Sequence, residues 1–208
     1  MRWLNVIAVL MLLLIPGCIT PPSAEEQVTE EQVTEEEVTE EEFTAPERLN
    51  LVADTAGREI DRGDTMNLLE DAAGKNTLIL WVSTGCSGCH DWTEMISGEM
   101  RNGNISNDTR IVTIHRYPSF ESRDEVIETY ASENSSTESL WPVLLTYDGQ
   151  PAIDVDKGED TEYDFAKAFE NPVTPSFTIL DGDGNTIWKN KEYWADNSVL
   201  EDALSNLE

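Results

Sequence analysis

The chain has 208 residues, 39% of them apolar, which suits one domain of ordinary size with a buried core plus extensions. Forty-two acidic residues oppose thirteen lysines and arginines, a formal net charge of −29. That balance excludes nucleic acid as a natural partner, because binding it needs a basic footprint, and fits basic partner proteins or a saline habitat better.

In chain order, residues 3–15, WLNVIAVLMLLLI, form an apolar run behind Arg2 that ends at Pro16, Gly17 and Cys18. The run is shorter than the ~20 residues of a membrane span, but it has the length of a secretory signal core. Ile15-Pro16-Gly17-Cys18 resembles the lipobox of prokaryotic lipoproteins, which implies a signal peptide over 1–17 and a lipidated Cys18 as the new N-terminus. An ordinary signal peptide or an uncleaved anchor is the alternative. Either way the remainder is expected outside the cytoplasmic membrane, on its outer face if Cys18 carries lipid. From Ser23 to Glu47 the chain holds eleven glutamates and no lysine or arginine. Such a segment buries too little apolar surface to offset its ordering entropy, so 18–47 is expected to be a disordered acidic tether. The domain proper is assigned to 48–208, where 31 acids against 12 bases still leave a net charge of −19 (42 − 11 and 13 − 1).

Within that domain, Leu51–Ile60 carries a turn at Ala56-Gly57 between two short extended pieces, which predicts a hairpin. Thr77–Ser83, TLILWVS, is a continuous apolar run, as in a strand covered on both faces. Thr84 and Gly85 break it, and Cys89, Trp92, Met95 and Ile96 then follow helical spacing. A second strand is predicted over Arg110–His115. Ser122 and Glu125 form a capping box before Val126, Ile127 and Tyr130. Trp141-Pro142, ahead of an apolar VLL, is expected in the core. A helix is predicted over Glu162–Phe169 and a strand over Val173–Leu180. The turn Asp181–Asn185 and a short strand around Ile187-Trp188 follow, and Ser198 with Glu201 suggests a second capping box opening a terminal helix. A βαβ half followed by a hairpin and a helix is an α/β sandwich, here with a central mixed β-sheet flanked by helices and an N-terminal hairpin extension.

Of the three cysteines, Cys18 has a targeting explanation, which leaves Cys86 and Cys89 in the mature domain. A pair enclosing two residues constrains little of the unfolded chain, so it is expected to serve chemistry rather than stability. The stretch STGCSGCH admits three chemistries. As C-x-x-C at a strand-to-helix turn it places Cys86 at a helix N-terminus, where free backbone N–H groups and the helix dipole favour the thiolate that attacks disulfides, while Cys89 resolves the mixed disulfide. Cys86, Cys89 and His90 could instead hold a soft ion such as Cu(I) in a metal-delivery module. As C-x-x-C-H the stretch also spells a c-type haem site, which wants a second axial ligand. Met95 and Met100 lie too near His90 for that, and Met66 is the other mature-domain methionine available.

The order of C-x-x-C after a buried strand, Thr174-Pro175 opening a later strand, a D-x-D-G-N turn and a final amphipathic helix resembles the thioredoxin fold. More narrowly, LVADTAGREIDRGDTMNLLEDAAGKNTLILWVSTGCSGC resembles the TlpA/ResA-like branch of the redoxin (AhpC/TSA) superfamily, membrane-tethered extracytoplasmic thiol-disulfide oxidoreductases. The resemblance implies Cys86 as nucleophile, Cys89 as resolving thiol, a cis Pro175 against the dithiol, and Thr174 offering backbone groups to bound substrate. It implies no cofactor beyond the redox-active Cys86–Cys89 disulfide. As partners it implies exported protein thiols and disulfides, such as apocytochromes or copper-site proteins, and a membrane electron donor. The chain departs from the family pattern at three places. Gly85 replaces a tryptophan before the first cysteine, Ser87-Gly88 replaces a pair that often contains proline, and Trp92 replaces a glutamate that assists proton transfer. Asp91 or Glu94 stands near enough in sequence to substitute for that glutamate.

Overall fold

The computed structural model describes residues 43–207. The expected signal segment 1–17, the lipidation position Cys18 and the tether as far as residue 42 lie outside the described residues. Phe43, at the end of the stretch read as spacer, packs edge-on against Tyr163 with ring centroids 4.8 Å apart, and Lys167 sits over the Phe43 ring. Among the described residues no helix is long and apolar enough to cross a membrane.

The sheet is built outward from Thr77–Val82 (β4, numbered in chain order), all six residues of which are buried. Its apolar, partly β-branched sequence has no polar face, so it takes a central place between Ile111–His115 (β5), which runs parallel, and Ser176–Leu180 (β9), which runs antiparallel. Thr186–Asn190 (β10) closes one edge beyond β9. On the other side come Val143–Leu145 (β6), Val52–Thr55 (β2) and Thr65–Asn67 (β3), giving the order β10-β9-β4-β5-β6-β2-β3. Because strand side chains alternate between faces, Leu78, Leu80 and Val82 point one way and Ile79 and Trp81 the other, each into its own apolar cluster.

The first cluster is covered by Ser87–Arg101 (α2), Arg123–Tyr130 (α3) and Asn197–Ser205 (α5), through Cys89, Trp92, Ile96, Val126, Tyr130, Leu200 and Ala203. The second lies under Leu68–Ala72 (α1) and Phe165–Ala168 (α4). Helices on both faces of a mixed sheet are the sandwich expected from the sequence. Three tryptophans are fully buried, and each indole N–H finds an acceptor: Trp81 on Thr178 Oγ1, Trp141 on Thr113 Oγ1 and Trp92 on the carbonyl of Glu192.

Several elements differ from the expectation. The N-terminal hairpin pairs β2 with β3, not with residues 58–60, because Glu59–Asp61 forms a 3-10 turn instead. There the Arg58 guanidinium binds the buried Asp61 carboxylate and the carbonyls of Ser139 and Trp141, so this segment plugs onto the loop before β6. The helix expected over 162–169 begins only at Phe165, because Glu159–Asp164 (β8) is a strand and Asp164 accepts from the N–H of Lys167 as the cap. With Leu49–Asn50 (β1) and Pro151–Asp154 (β7), β8 makes a second, three-stranded sheet that the sequence reading did not foresee. The 173–180 strand starts at Ser176. The terminal helix is capped by Asp196, which accepts from the N–H groups of Ser198 and Val199, and not by Ser198. The Ser122–Glu125 capping box stands as expected.

Candidate active site

The end of β4 and the start of α2 make the site. After Val82 the chain turns through Ser83, Thr84 and the exposed Gly85, and Cys86 is the N-cap of α2 with extended backbone (φ −91°, ψ 101°). Its sulfur takes the place of the usual capping oxygen and accepts the N–H of Cys89 at 3.1 Å. Cys86 and Cys89 form a disulfide with Cα atoms 5.2 Å apart. Of the two, Cys86 reaches the surface (7% exposed) and Cys89 does not (0%).

The Thr174–Pro175 peptide is cis. The proline ring rests on the residue between the cysteines, since a Cβ added to Gly88 would stand 3.1 Å from both Cγ and Cδ of Pro175. Thr174 Oγ1 shares a hydrogen bond with Ser83 Oγ at 3.2 Å, and Arg116 Nε donates to the carbonyl of Pro172, fixing the approach to the proline. Four residues singled out in the sequence, Cys86, Cys89, Thr174 and Pro175, therefore share one corner of the molecule at the end of the central strands.

A strap between β10 and α5 closes the other flank. The Trp92 indole holds the Glu192 carbonyl at 2.9 Å and the Asp91 carboxylate holds the Ala195 N–H at 2.9 Å. A Cβ on Gly88 would come within 2.2 Å of the Tyr193 carbonyl oxygen. Tyr193 and Trp194 stack edge-on at 4.9 Å, both exposed. Asp91 is thus occupied as a strap anchor, and Glu94 lies exposed on the helix surface.

His90 is engaged from the other side, with Nε2 2.8 Å from the carbonyl oxygen of Thr84 and its ring 5.8 Å from Tyr130. Among the described residues no group of three or more His, Cys, Asp or Glu side chains converges as a metal centre.

Three residues that sequence reasoning passed over hold the turn from within. Glu121 Oε1 accepts the N–H of Thr84 at 2.9 Å, and the Tyr130 hydroxyl donates to the Ser83 carbonyl at 2.7 Å. Fully buried His115, at the end of β5, places Nε2 3.2 Å from Glu121 Oε2. Burial pushes the His115 imidazole below its ordinary range, with Glu121 opposing, and raises the Tyr130 phenol far above its own. The sequence pattern places His115 at a strand end and Tyr130 on a helix face, but nothing in it assigns them or Glu121 to the site. Their roles come from a strand end and a loop meeting beneath the turn.

No protein-family model matches the sequence, and no curated protein matches it. Solved structures do. A thioredoxin-like superfamily protein superposes with a TM-score of 0.52 at 15% identity, covering 79% of this chain and 96% of its own. The thioredoxin domain of a thiol-disulfide oxidoreductase from Bacteroides vulgatus gives 0.50 at 15% identity, over 80% of this chain and all of that one. The dsbF protein of MTB, solved in mixed oxidised and reduced forms, also gives 0.50 at 15% identity, over 79% and 100%.

The chain has the thioredoxin fold. In this thioredoxin-fold chain the disulfide sits at the head of the first crossover helix, and the cis-proline leads into the antiparallel strand beside it. Once reduced, such a pair would leave the Cys86 sulfur where a backbone N–H already points at it and where the helix dipole favours negative charge. The covered Cys89 stands one turn away, within bonding reach of that sulfur.

Proposed function

We propose that the protein is an extracytoplasmic, membrane-anchored thiol-disulfide oxidoreductase that exchanges disulfides with exported proteins through Cys86 and Cys89. The observation that carries this reading is the joint placement of a disulfide at a helix N-cap and the Pro175 ring against Gly88 within the same motif. A bonded pair enclosing two residues adds little to stability, so its position at the surface end of the sheet is better explained by reactivity.

In the proposed cycle the Cys86 thiolate attacks one sulfur of a client disulfide, and the electron pair of the broken bond leaves on the client's other sulfur as a thiol. Cys89 then attacks Cys86 in the mixed disulfide, which releases the client as a dithiol and regenerates the Cys86–Cys89 bond. A dithiol donor on the membrane side resets the pair. The exposure difference between the two sulfurs supports Cys86 as the attacking group and Cys89 as the resolving one. Thr174 and Pro175 would present the surface on which the client backbone lies. Apocytochromes and copper-site proteins are the proposed clients. The apolar N-terminal run and Cys18 support the anchor, and the acidic segment that follows would act as the spacer.

Two variants test the reading. Cys86→Ser is expected to reduce exchange to the uncatalysed rate, and Cys89→Ser to accumulate a mixed disulfide with the client, detected as a mass adduct. Full exchange activity in Cys86→Ser would overturn the assignment.

A further inference from the structure

Beneath the active-site turn lies a buried pair of titratable groups for which the exchange cycle has no stated use. His115 Nε2 and Glu121 Oε2 are 3.2 Å apart, yet among the described residues neither of these atoms, nor His115 Nδ1, makes a hydrogen bond of proper geometry. Leaving such groups buried and unsatisfied is costly, and an apolar pair of similar volume would avoid that cost. A ring nitrogen and a carboxylate oxygen this close and out of water become a strongly attracting ion pair once the imidazole is protonated.

The pair is tied to the dithiol. The other oxygen of Glu121 holds the Thr84 N–H, two residues before Cys86. His115 is level with Val82, its register partner on the last residue of β4. It shares the face of Leu78, Leu80 and Val82, the face on which Cys89 packs.

We propose that His115 and Glu121 are positioning residues that take up one proton when the Cys86–Cys89 disulfide is reduced. This deepens the oxidoreductase reading and rests on it. When a partner's dithiol reduces the disulfide, the partner's two S–H bonds release two protons and its sulfurs join. The two electrons break the Cys86–Cys89 bond. One proton makes Cys89 a thiol, the other binds His115 against Glu121, and Cys86 remains a thiolate. The negative charge on Cys86 and the positive charge on the pair stabilise each other, and the coupling is reciprocal.

The groups facing the imidazole have defined effects. Glu121, from the loop after β5, favours the proton. Arg123, in the first turn of α3, opposes it, but its guanidinium is paired with Asp54 of β2 at 2.7 Å. Tyr130 of α3 stays neutral as a phenol, and His90 of α2 is engaged with the Thr84 carbonyl. In the oxidised protein burial keeps His115 unprotonated until pH falls below the ordinary histidine range. Reduction raises its affinity for the proton, so extra uptake occurs in the pH window between the two values.

The test equilibrates the whole chain with glutathione poises at a series of pH values, for wild type, His115→Gln and Glu121→Gln. In that window the wild-type equilibrium should gain one proton per two electrons, a further tenfold change per pH unit or about 30 mV. Both variants should exchange disulfides but lose the added slope. Superimposable slopes in wild type and His115→Gln would overturn the proposal while leaving the oxidoreductase reading intact. A wild-type protein that does not exchange with glutathione would overturn both. Because His115→Gln could fail to fold, the imidazole resonances are also titrated by NMR in oxidised and reduced wild type. There are two histidines, and the one absent in a mild His90→Gln control is His90. A His115 midpoint that is higher in the reduced form supports the proposal, and an unchanged midpoint overturns it.

Discussion

Gly88 stands where no side chain fits. On one side is the ring of Pro175 and on the other the carbonyl of Tyr193, and a methyl group there would come within 2.2 Å of that oxygen. Replacing glycine by alanine inside a helix ordinarily gains about 0.5–1 kcal/mol, but overpacking against backbone costs about 1–3 kcal/mol, so the clash wins. Gly88→Ala is expected to lower the urea unfolding midpoint and to slow exchange, because the strap or the proline must move away from the dithiol. An unchanged or raised midpoint would mean that neither presses on Gly88 in solution. Trp92 is likewise structural, with its indole committed to the Glu192 carbonyl. Gly88 and Trp92 are thus both fitted to the strap that lies over them, whereas a Cβ at Gly85 would meet nothing within 4 Å.

At the scale of elements, α3 offers a clean test because its start is exposed and its caps are explicit. Ser122 Oγ accepts the Glu125 N–H, and the Glu125 carboxylate accepts the Ser122 N–H and hydroxyl. Ser122→Ala should cost about 1 kcal/mol of stability in urea titration. The backbone bond and then the hydroxyl bond from Ser122 hold the Glu125 carboxyl below its usual range. A carboxyl depressed in the folded state stabilises above its unfolded value and loses that contribution as pH falls through the folded one. The difference between wild type and Ser122→Ala should therefore narrow in acid, and a gap that widens there would contradict the capping geometry. This box was legible in the sequence, as were β4, α2 and the order of elements around the dithiol, because each is a local pattern of period or cap. The second sheet was not. Glu159–Asp164 reads EDTEYD, with no apolar alternation to mark its hairpin with β7, and β1 is two residues long and pairs with β7 more than a hundred residues away. In the site, Cys86, Cys89, Thr174 and Pro175 were legible as motifs. His115 and Glu121 were not, since one ends an apolar strand, the other sits in a polar loop, and only the tertiary fold joins them.

At the scale of the molecule, a net charge of −19 over residues 48–208 makes the domain a source of negative potential around the dithiol. A cationic disulfide such as cystamine should then react about tenfold faster than anionic oxidised glutathione at low ionic strength. The ratio should fall towards one in molar salt, where the screening length shrinks to about 3 Å. Stopped-flow rates across a salt series measure it, and a ratio independent of salt would show that local contacts govern access instead. The corner that holds the disulfide is braced by distant parts of the chain: the bonds from Trp92 to Glu192 and from Asp91 to Ala195 join residues 100 and 104 positions apart. During synthesis the two cysteines emerge long before the segments that flank them. A nascent chain therefore carries a bare pair of thiols on an unbraced helix start. The strap can close over them only once Glu192 and Ala195, 100 and 104 positions beyond their partners, have been made, so the braced form of the dithiol is a late product of synthesis rather than a property of the motif alone.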